Sequence, residues 1–151
     1  MNTQSELHSL LSNIPNPTSV TLTCKQRYDG CSVDEIVVSR NIRHFLNVLN
    51  QRVFGKKFVR FKEIRLKVVP IIEVDRSHRF HTHITLEKPT NLSDEEFTNL
   101  IVESWRKTNI GHQQFDVQTT YNIDGWTDYI LKRRTKKTTV VDSVDWENVT
   151  L

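Results

Sequence analysis

The sequence predicts an α+β fold in which helices pack against one central antiparallel β-sheet. Segments that alternate apolar and polar residues, typical of strands, are interspersed with segments whose apolar residues recur every three or four positions, typical of helices. Their order is strand, helix, two or three strands, helix, strand, helix. Short turns between strands favour this class over a doubly wound sheet. With 151 residues, of which 36% are hydrophobic, the chain is expected to form one domain, with its core at about residues 19–137 and a short arm at each end.

The first strand is expected to follow a polar N-terminal arm. Pro15 and Pro17 break whatever precedes them, so residues 1–17 are expected either to frame the domain or to fray. Residues 19–25 alternate and are rich in β-branched side chains, which suit a pleated, half-buried strand. The apolar face of this strand carries Val20, Leu22 and Cys24.

The first helix is expected after a turn at Asp29-Gly30. Ser32 or Asp34 can cap its N-terminus, and Gly55 is well placed to end it. Apolar residues at helical spacing predict its buried face. These residues are Val38, Ile42, Phe45, Leu49 and Val53.

Strands joined by a short turn are expected in the middle of the chain. Residues 58–74 are rich in Ile, Val and Phe and predict one long strand or two, with Pro70 marking a bulge or an edge. A polar turn at residues 75–79 leads into a further strand, which Pro89 closes. This turn would make the two flanking strands antiparallel neighbours.

The last part of the chain predicts a helix, a strand and a helix. Ser93, with a glutamate three residues later, has the capping-box pattern and opens a helix that Gly111 stops. The residues expected to bury this helix are Phe97, Leu100, Ile101 and Trp105. Residues 115–121 alternate and predict a strand, and Asp124 is expected to cap the last helix. Residues 140–151 are expected to form a small strand or a trailing arm.

Charge and cysteine content narrow the class of protein. The net charge is only +3, but five of the six residues from Lys132 to Lys137 are basic, which favours a polyanionic partner such as nucleic acid. A solvated helix end would have a similar composition. Cys24 and Cys31 lie in no CxxC spacing and indicate a reducing compartment. No apolar run approaches a membrane span, so we expect a soluble protein with no membrane partner, in the cytoplasm or, if viral, in the interior of the host cell.

The strongest chemical signal is the pair His81 and His83. Side chains at i and i+2 of a strand project from the same face, so these imidazoles are expected side by side. If the preceding strand pairs with theirs, Glu73 comes near, and such a set suits a divalent ion such as Mn, Fe, Zn or Mg. Asp75 and Glu87 are alternatives for the third ligand. An exposed histidine pair that binds no metal would give the same pattern.

The second signal is Tyr129 with Lys132 on the last predicted helix. Residues three apart share a helix face, and Trp126 lies one turn earlier on the same stripe. A tyrosine half-buried against the sheet, with a lysine stem packing past it, would give this pattern without any chemistry. A phenol is mostly protonated at neutral pH. As a nucleophile it needs a nearby cation, a general base, or a metal that activates the electrophile.

Together these motifs resemble those of the HUH endonuclease superfamily, most closely the small rolling-circle replication initiators (Rep proteins) with one catalytic tyrosine. Residues 80–86, Phe-His-Thr-His-Ile-Thr-Leu, are similar to the family's His-x-His strand, and residues 128–132 are similar to its Tyr-x-x-Lys helix. Residues 20–23 are more weakly similar to its first-strand motif. The likeness covers about residues 19–137. One departure is Thr82, where the family usually has a bulky apolar residue, although a β-branched threonine can still pack inward.

The resemblance implies a ferredoxin-like HUH endonuclease fold and metal-dependent, site-specific nicking and joining of single-stranded DNA. It assigns a divalent ion, Mn²⁺ or Mg²⁺, to Glu73, His81 and His83. Tyr129 would form a 5′-phosphotyrosine link, and Lys132 would orient phosphate or favour the phenolate. The residues expected to contact DNA are Trp126, Arg133, Arg134, Lys136 and Lys137.

The partners implied by this resemblance are single-stranded DNA at the replication origin of a plasmid or virus, including an origin hairpin, and a separate helicase. No GxxxxGK[ST] motif occurs, so an ATP-driven helicase is not part of this chain. A transposase of the same superfamily would share the metal site and the tyrosine but would cut element ends as a dimer. A non-catalytic nucleic-acid-binding regulator would use Phe80, Trp126 and the basic run for stacking and backbone contacts.

Overall fold

The computed structural model describes residues 3–61, 63–75, 79–119, 123–132 and 143–151, with the backbone alone for residues 3, 4, 112–119, 131 and 132. Its elements are, in chain order, α1 (Thr3–Leu11), β1 (Pro17–Cys24), β2 (Arg27–Tyr28), β3 (Cys31–Ser32), α2 (Glu35–Phe54), α3 (Lys56–Arg60), β4 (Val68–Val74), β5 (Phe80–Glu87), α4 (Asp94–Arg106), β6 (Gly111–Thr119), α5 (Ile123–Lys132) and a 3-10 helix (Trp146–Asn148).

The predicted α+β fold is confirmed. Four strands form one antiparallel sheet in the order β4-β5-β1-β6, and β2 and β3 form a separate small hairpin. Helix α2 connects β1 to β4 and helix α4 connects β5 to β6, which is the connectivity of a ferredoxin-like sheet. Strand β5 therefore lies inside the sheet, between β4 and β1. The histidine pair is on a central strand rather than on an exposed edge.

One face of the sheet packs against α2 and α4. Val20, Leu22 and Cys24 of β1 are all buried in this core, as predicted, together with the apolar face of each helix. Local chemistry sets the helix ends. The Asp34 carboxylate accepts a hydrogen bond of 2.9 Å from the backbone nitrogen of Val37, and Ser93 forms the predicted capping box.

Within the described residues, no helix is both long enough and apolar enough to cross a membrane.

The opposite face of the sheet packs against α1 and α5. Of the two alternatives for the N-terminal arm, the structure has the framing one, because residues 3–11 form a helix. Leu7 and Leu11 of α1 are 1% and 0% exposed, and they pack with Ile71 of β4 and Ile130 of α5. The polar composition of this segment hid an apolar stripe only two or three residues wide. The domain core therefore begins before residue 19, where the sequence placed its start.

The C-terminal residues 143–151 lie along the free edge of β4. Thr150 bridges to Val68, and the backbone nitrogen of Asp145 donates to the Pro70 carbonyl at 2.9 Å. The Asp145 carboxylate also accepts a hydrogen bond of 3.0 Å from the Ser39 hydroxyl of α2. Pro70 thus lies in an edge strand, one of its two predicted positions. The segment covers backbone groups that an open edge would expose.

Several predicted element boundaries were wrong. Phe58 lies in the short helix α3 rather than in a strand. Helix α4 ends at Arg106, and Gly111 instead begins β6, where an added Cβ would overlap the Trp105 carbonyl oxygen. Asp124 lies inside the first turn of α5 rather than at the cap. The predicted strand end at residues 120–121 falls outside the described residues.

Replacing Leu11 with alanine should lower the free energy of unfolding by about 2–5 kcal/mol, because it removes a fully buried side chain from the core under α1. Urea unfolding measures the change. The matched control is Ser9→Ala on the exposed side of the same helix, for which a change within about 0.5 kcal/mol is expected. An equally small effect of Leu11→Ala would mean that α1 frays in solution.

Candidate active site

The β4–β5 hairpin brings a glutamate to the predicted histidine pair. Glu73 is the register partner of His81, and Ile71 is the partner of His83. The hairpin closes through a hydrogen bond of 2.9 Å from the backbone nitrogen of Asp75 to the Arg79 carbonyl. The predicted turn residue His78 lies outside the described residues. Since antiparallel partners share a sheet face, this register places one carboxylate and two imidazoles on the face that α5 covers.

His83 is buried and held on both sides of its ring. Its Nε2 atom lies 2.6 Å from Glu73 Oε2, and its Nδ1 atom lies 3.0 Å from the Thr21 hydroxyl of β1. His83 is 2% exposed and Glu73 is 8% exposed. A hydroxyl can donate or accept, so Thr21 is compatible with either tautomer of the imidazole. The contact fixes the ring plane and leaves Nε2 directed at the carboxylate.

His81 has a different carboxylate partner. Its Nε2 atom lies 3.0 Å from Asp75 Oδ2, and Asp75 Oδ1 accepts a hydrogen bond of 3.0 Å from the backbone nitrogen of Arg79. Asp75 therefore both stabilises the turn and orients His81. Glu87, the other alternative ligand, is engaged elsewhere, since its Oε1 atom lies 3.3 Å from the Lys67 backbone nitrogen. Among the described side chains, Glu73 and Asp75 are the carboxylates that contact the histidine pair.

The donor set suits a divalent ion, although its side chains are arranged as two separate pairs. Imidazole nitrogen and carboxylate oxygen are ligands for Mn, Fe and Zn. Among the described residues, no group of three or more His, Cys, Asp or Glu side chains is arranged around one point. His81 is the register partner of Glu73, so rotation of its side chain from Asp75 toward Glu73 would complete a three-residue set. The side chain of His81 is 24% exposed, which leaves it room for that rotation.

Helix α5 lays two aromatic rings over His83. The ring of Tyr129 lies 6.1 Å from that of His83, edge to face, and the ring of Trp126 lies 6.0 Å from it. The two aromatic rings stack on each other at 5.3 Å. The Trp126 indole also donates a hydrogen bond of 3.0 Å to the Thr85 hydroxyl of β5, which ties the helix to the histidine strand. Tyr129 is thereby placed next to His83.

The expected DNA-contact residues divide into two groups. Trp126 is only 8% exposed, so its ring packs Tyr129 against the sheet and offers little surface for stacking a base. Contact between Trp126 and DNA stays a prediction. Lys132 is the last residue of α5, and its side chain is outside the described set. The other expected contacts also fall outside the described residues: Arg133, Arg134, Lys136 and Lys137.

Sequence reasoning missed the hydroxyl partners of the site. Thr21 and Thr85 face the site from strands whose alternation was visible in the sequence. The partner of Thr21 depends on the register of β1 with β5, and the partner of Thr85 depends on where α5 packs. Cys24 lies on the opposite face of β1, where burial raises the pKa of its thiol to about 12. Its thiol therefore stays protonated at neutral pH.

Replacing Trp126 with phenylalanine should lower the free energy of unfolding by about 1–2 kcal/mol, because a ring remains to stack on Tyr129 but the hydrogen bond to Thr85 is lost. Urea unfolding measures the change. The control is Trp146→Phe, since Trp146 is 53% exposed. A stability unchanged by Trp126→Phe would show that the hydrogen bond does not hold α5 against the sheet.

No protein-family model matches this chain, and neither a curated protein nor a solved structure matches it significantly.

Proposed function

We propose that this protein is a metal-dependent endonuclease that nicks and rejoins single-stranded DNA through Tyr129, as a rolling-circle replication initiator does. The observation that carries the proposal is the position of Tyr129, whose ring lies 6.1 Å from that of His83 on the sheet face that also holds Glu73. A tyrosine and a set of nitrogen and oxygen metal ligands on one face are the two parts that this reaction requires.

The reaction is a transesterification. The Tyr129 hydroxyl oxygen attacks the scissile phosphorus, forming a P–O bond to tyrosine while the bond from phosphorus to the 3′ oxygen breaks. The phenol loses its proton, and the departing 3′ oxygen gains one. The phosphodiester energy is conserved in the 5′-phosphotyrosine link, so a later 3′-hydroxyl can reverse the step and join strands. The packing of Tyr129 against Trp126 holds the hydroxyl in place for this attack.

The metal-binding residues in this proposal are His81, His83 and Glu73. When bound there, a Mn²⁺ or Mg²⁺ ion would polarise the scissile phosphate and offset the charge that develops on it. Thr21 contacts the Nδ1 atom of His83, the position where an outer-shell partner orients a ligating imidazole. Asp75 stabilises the hairpin end of the site, because its carboxylate accepts a hydrogen bond from the backbone nitrogen of Arg79.

The DNA strand is expected to leave the site along the basic run after α5. Five of the six residues from Lys132 to Lys137 are Lys or Arg. Contacts from such residues to phosphates release counterions, so binding should weaken steeply as salt rises. Lys132 would in addition orient the scissile phosphate, because it lies one helical turn after Tyr129.

The test is incubation of the protein with mixed single-stranded oligonucleotides and Mn²⁺, followed by a denaturing gel and mass spectrometry. The expected product is an oligonucleotide covalently attached to a peptide that contains Tyr129, together with a free 3′-hydroxyl fragment. The product should be absent when a chelator is present. A cleaved product without a protein adduct would point to hydrolysis and would contradict the tyrosine mechanism.

A second candidate is a non-catalytic nucleic-acid-binding protein on the same fold. The observation that favours it is the pairing of each imidazole with its own carboxylate, His83 with Glu73 and His81 with Asp75, which satisfies all four side chains without a metal. The same assay separates the two candidates. Oligonucleotide binding with neither cleavage nor adduct, at any Mn²⁺ concentration, would favour the binding protein.

A further inference from the structure

A cavity lies on the side of the sheet that packs against α2, away from Tyr129. Its volume is about 550 Å³, within the range of pockets that hold small ligands, and it lies between α2, α3 and the C-terminal segment 143–151. Its lining includes two arginines and four side-chain amides, with apolar residues of α3 at its rim. The residues that matter for its chemistry are Arg43, Asn47, Phe58, Val59, Arg65 and Glu147.

Arg65 is held in a fixed orientation beside this cavity. Its guanidinium lies 5.3 Å from the centre of the Phe58 ring, and one terminal nitrogen donates a hydrogen bond of 3.3 Å to Asn47. Its Nε atom is buried and has no hydrogen-bond partner among the described residues. Because Nε is closed off from solvent, a ligand in the cavity would meet Arg65 through its terminal nitrogens. The stacked ring below also pre-orients the guanidinium plane.

Arg43 supplies a second guanidinium that is only weakly engaged. Its terminal nitrogen lies 3.4 Å from the Glu147 carboxylate, and the two side chains are 57% and 76% exposed. Its Nε atom donates to Asn148 at 3.4 Å. Long and exposed ion pairs of this kind contribute little to stability. An anion in the cavity would therefore displace the Glu147 carboxylate from Arg43 at a small cost in free energy.

We infer that this cavity binds the phosphate of a nucleotide. Two guanidinium groups present paired N–H donors that match the oxygens of a phosphate ester. Val59, which is 58% exposed, offers apolar contact to a base or sugar. The same chemistry would accept a free mononucleotide or one nucleotide unit of a DNA strand.

The site is separate from the proposed nuclease site. Val68 lines the cavity at the start of β4, whereas Glu73 lies five residues further along that strand, a separation of roughly 16 Å at the rise of an extended chain. A nucleotide that binds in the cavity therefore does not have to be a product of the cleavage reaction. The inference does not depend on the nicking reaction, and binding can be measured without a divalent ion.

The experiment is an NMR titration of the full chain in chelator, following the Nε–H signal of Arg65 and the side-chain amide of Asn47. The probes are inorganic phosphate, deoxythymidine monophosphate and a short oligothymidylate. Saturable shifts with the mononucleotide or the oligonucleotide are expected, and the probe with the lower dissociation constant identifies the source. Saturation by inorganic phosphate at the same concentration as the nucleotides would overturn the inference, as would the absence of shifts with all three probes.

Variants sharpen this result. Arg65→Gln should weaken binding about tenfold and Arg65→Lys should weaken it less, because lysine keeps the charge but not the paired donors. Glu147→Gln should tighten binding a few-fold, since it removes a carboxylate that competes for Arg43. The matched control is Arg40→Gln, an exposed arginine of α2 outside the cavity lining. Equal weakening by Arg40→Gln would mean that only net charge attracts the probe, and would contradict a site at Arg65.

Discussion

Replacing Tyr129 with phenylalanine should abolish both DNA cleavage and the covalent protein–DNA adduct, while affinity for single-stranded DNA stays within about twofold of wild type. The substitution removes only the hydroxyl oxygen. The remaining ring can keep its stacking on Trp126 at 5.3 Å and its edge contact with His83 at 6.1 Å. We expect a rate loss on the order of 1,000-fold or more, because the phenylalanine ring carries no nucleophilic oxygen.

The matched control for this prediction is Tyr28→Phe. Tyr28 lies on the small hairpin β2–β3 and is 46% exposed, so loss of its hydroxyl should leave the cleavage rate unchanged. Rates come from denaturing gels, and affinities from fluorescence anisotropy with a labelled oligonucleotide. An adduct that survives in Tyr129→Phe would move the nucleophile elsewhere, with Tyr121, outside the described residues, as the next candidate. Loss of DNA binding together with cleavage would mean that Tyr129 contacts the strand without attacking it.

Much of the fold could be predicted because local chemistry decides it. Asp34 and Ser93 accept hydrogen bonds from backbone nitrogens that the first helical turn leaves unpaired, whatever the rest of the chain does. Alternation along β1 and β5 follows from the two-residue period of a strand. The position of Glu73 near the histidines could also be predicted, because a short turn at residues 75–79 allows few registers for its hairpin.

The parts that could not be predicted depend on contacts between distant segments. Thr21 meets His83 only because β1 pairs with β5 in one register, and nothing local to Thr21 indicates that partner. Helix α1 is marginal alone and becomes part of the domain by packing Leu7 and Leu11 against α5. Gly111 was predicted to end α4. Its actual requirement is the close approach of the chain to Trp105, which only the folded structure reveals.

Replacing Glu73 with glutamine should separate a metal ligand from a structural partner of His83. Glutamine has nearly the same shape, and its amide oxygen can still accept a hydrogen bond from His83 Nε2, 2.6 Å from the present carboxylate oxygen. If the His83–Glu73 pair had a structural role only, the variant would lose about 1 kcal/mol of stability and would keep its nicking activity. A neutral amide is a much poorer ligand for a divalent ion than a carboxylate, so we expect nicking to fall on the order of 100-fold or more.

The decisive readout does not involve DNA. Mn²⁺ at about 100 times its dissociation constant should raise the free energy of unfolding of the wild-type protein by about 2.7 kcal/mol, since it binds the folded state. This increase should vanish in Glu73→Gln and persist in Glu87→Gln, a matched change at the far end of β5, where the carboxylate contacts Lys67.

Loss of the increase in Asp75→Asn but not in Glu73→Gln would make Asp75 the third ligand. If neither variant changes it, the ion binds outside the hairpin. If wild type gains no stability from Mn²⁺ at any concentration, the two histidine–carboxylate pairs hold the hairpin and α5 together without a metal, and the same face of the sheet then has a structural role only.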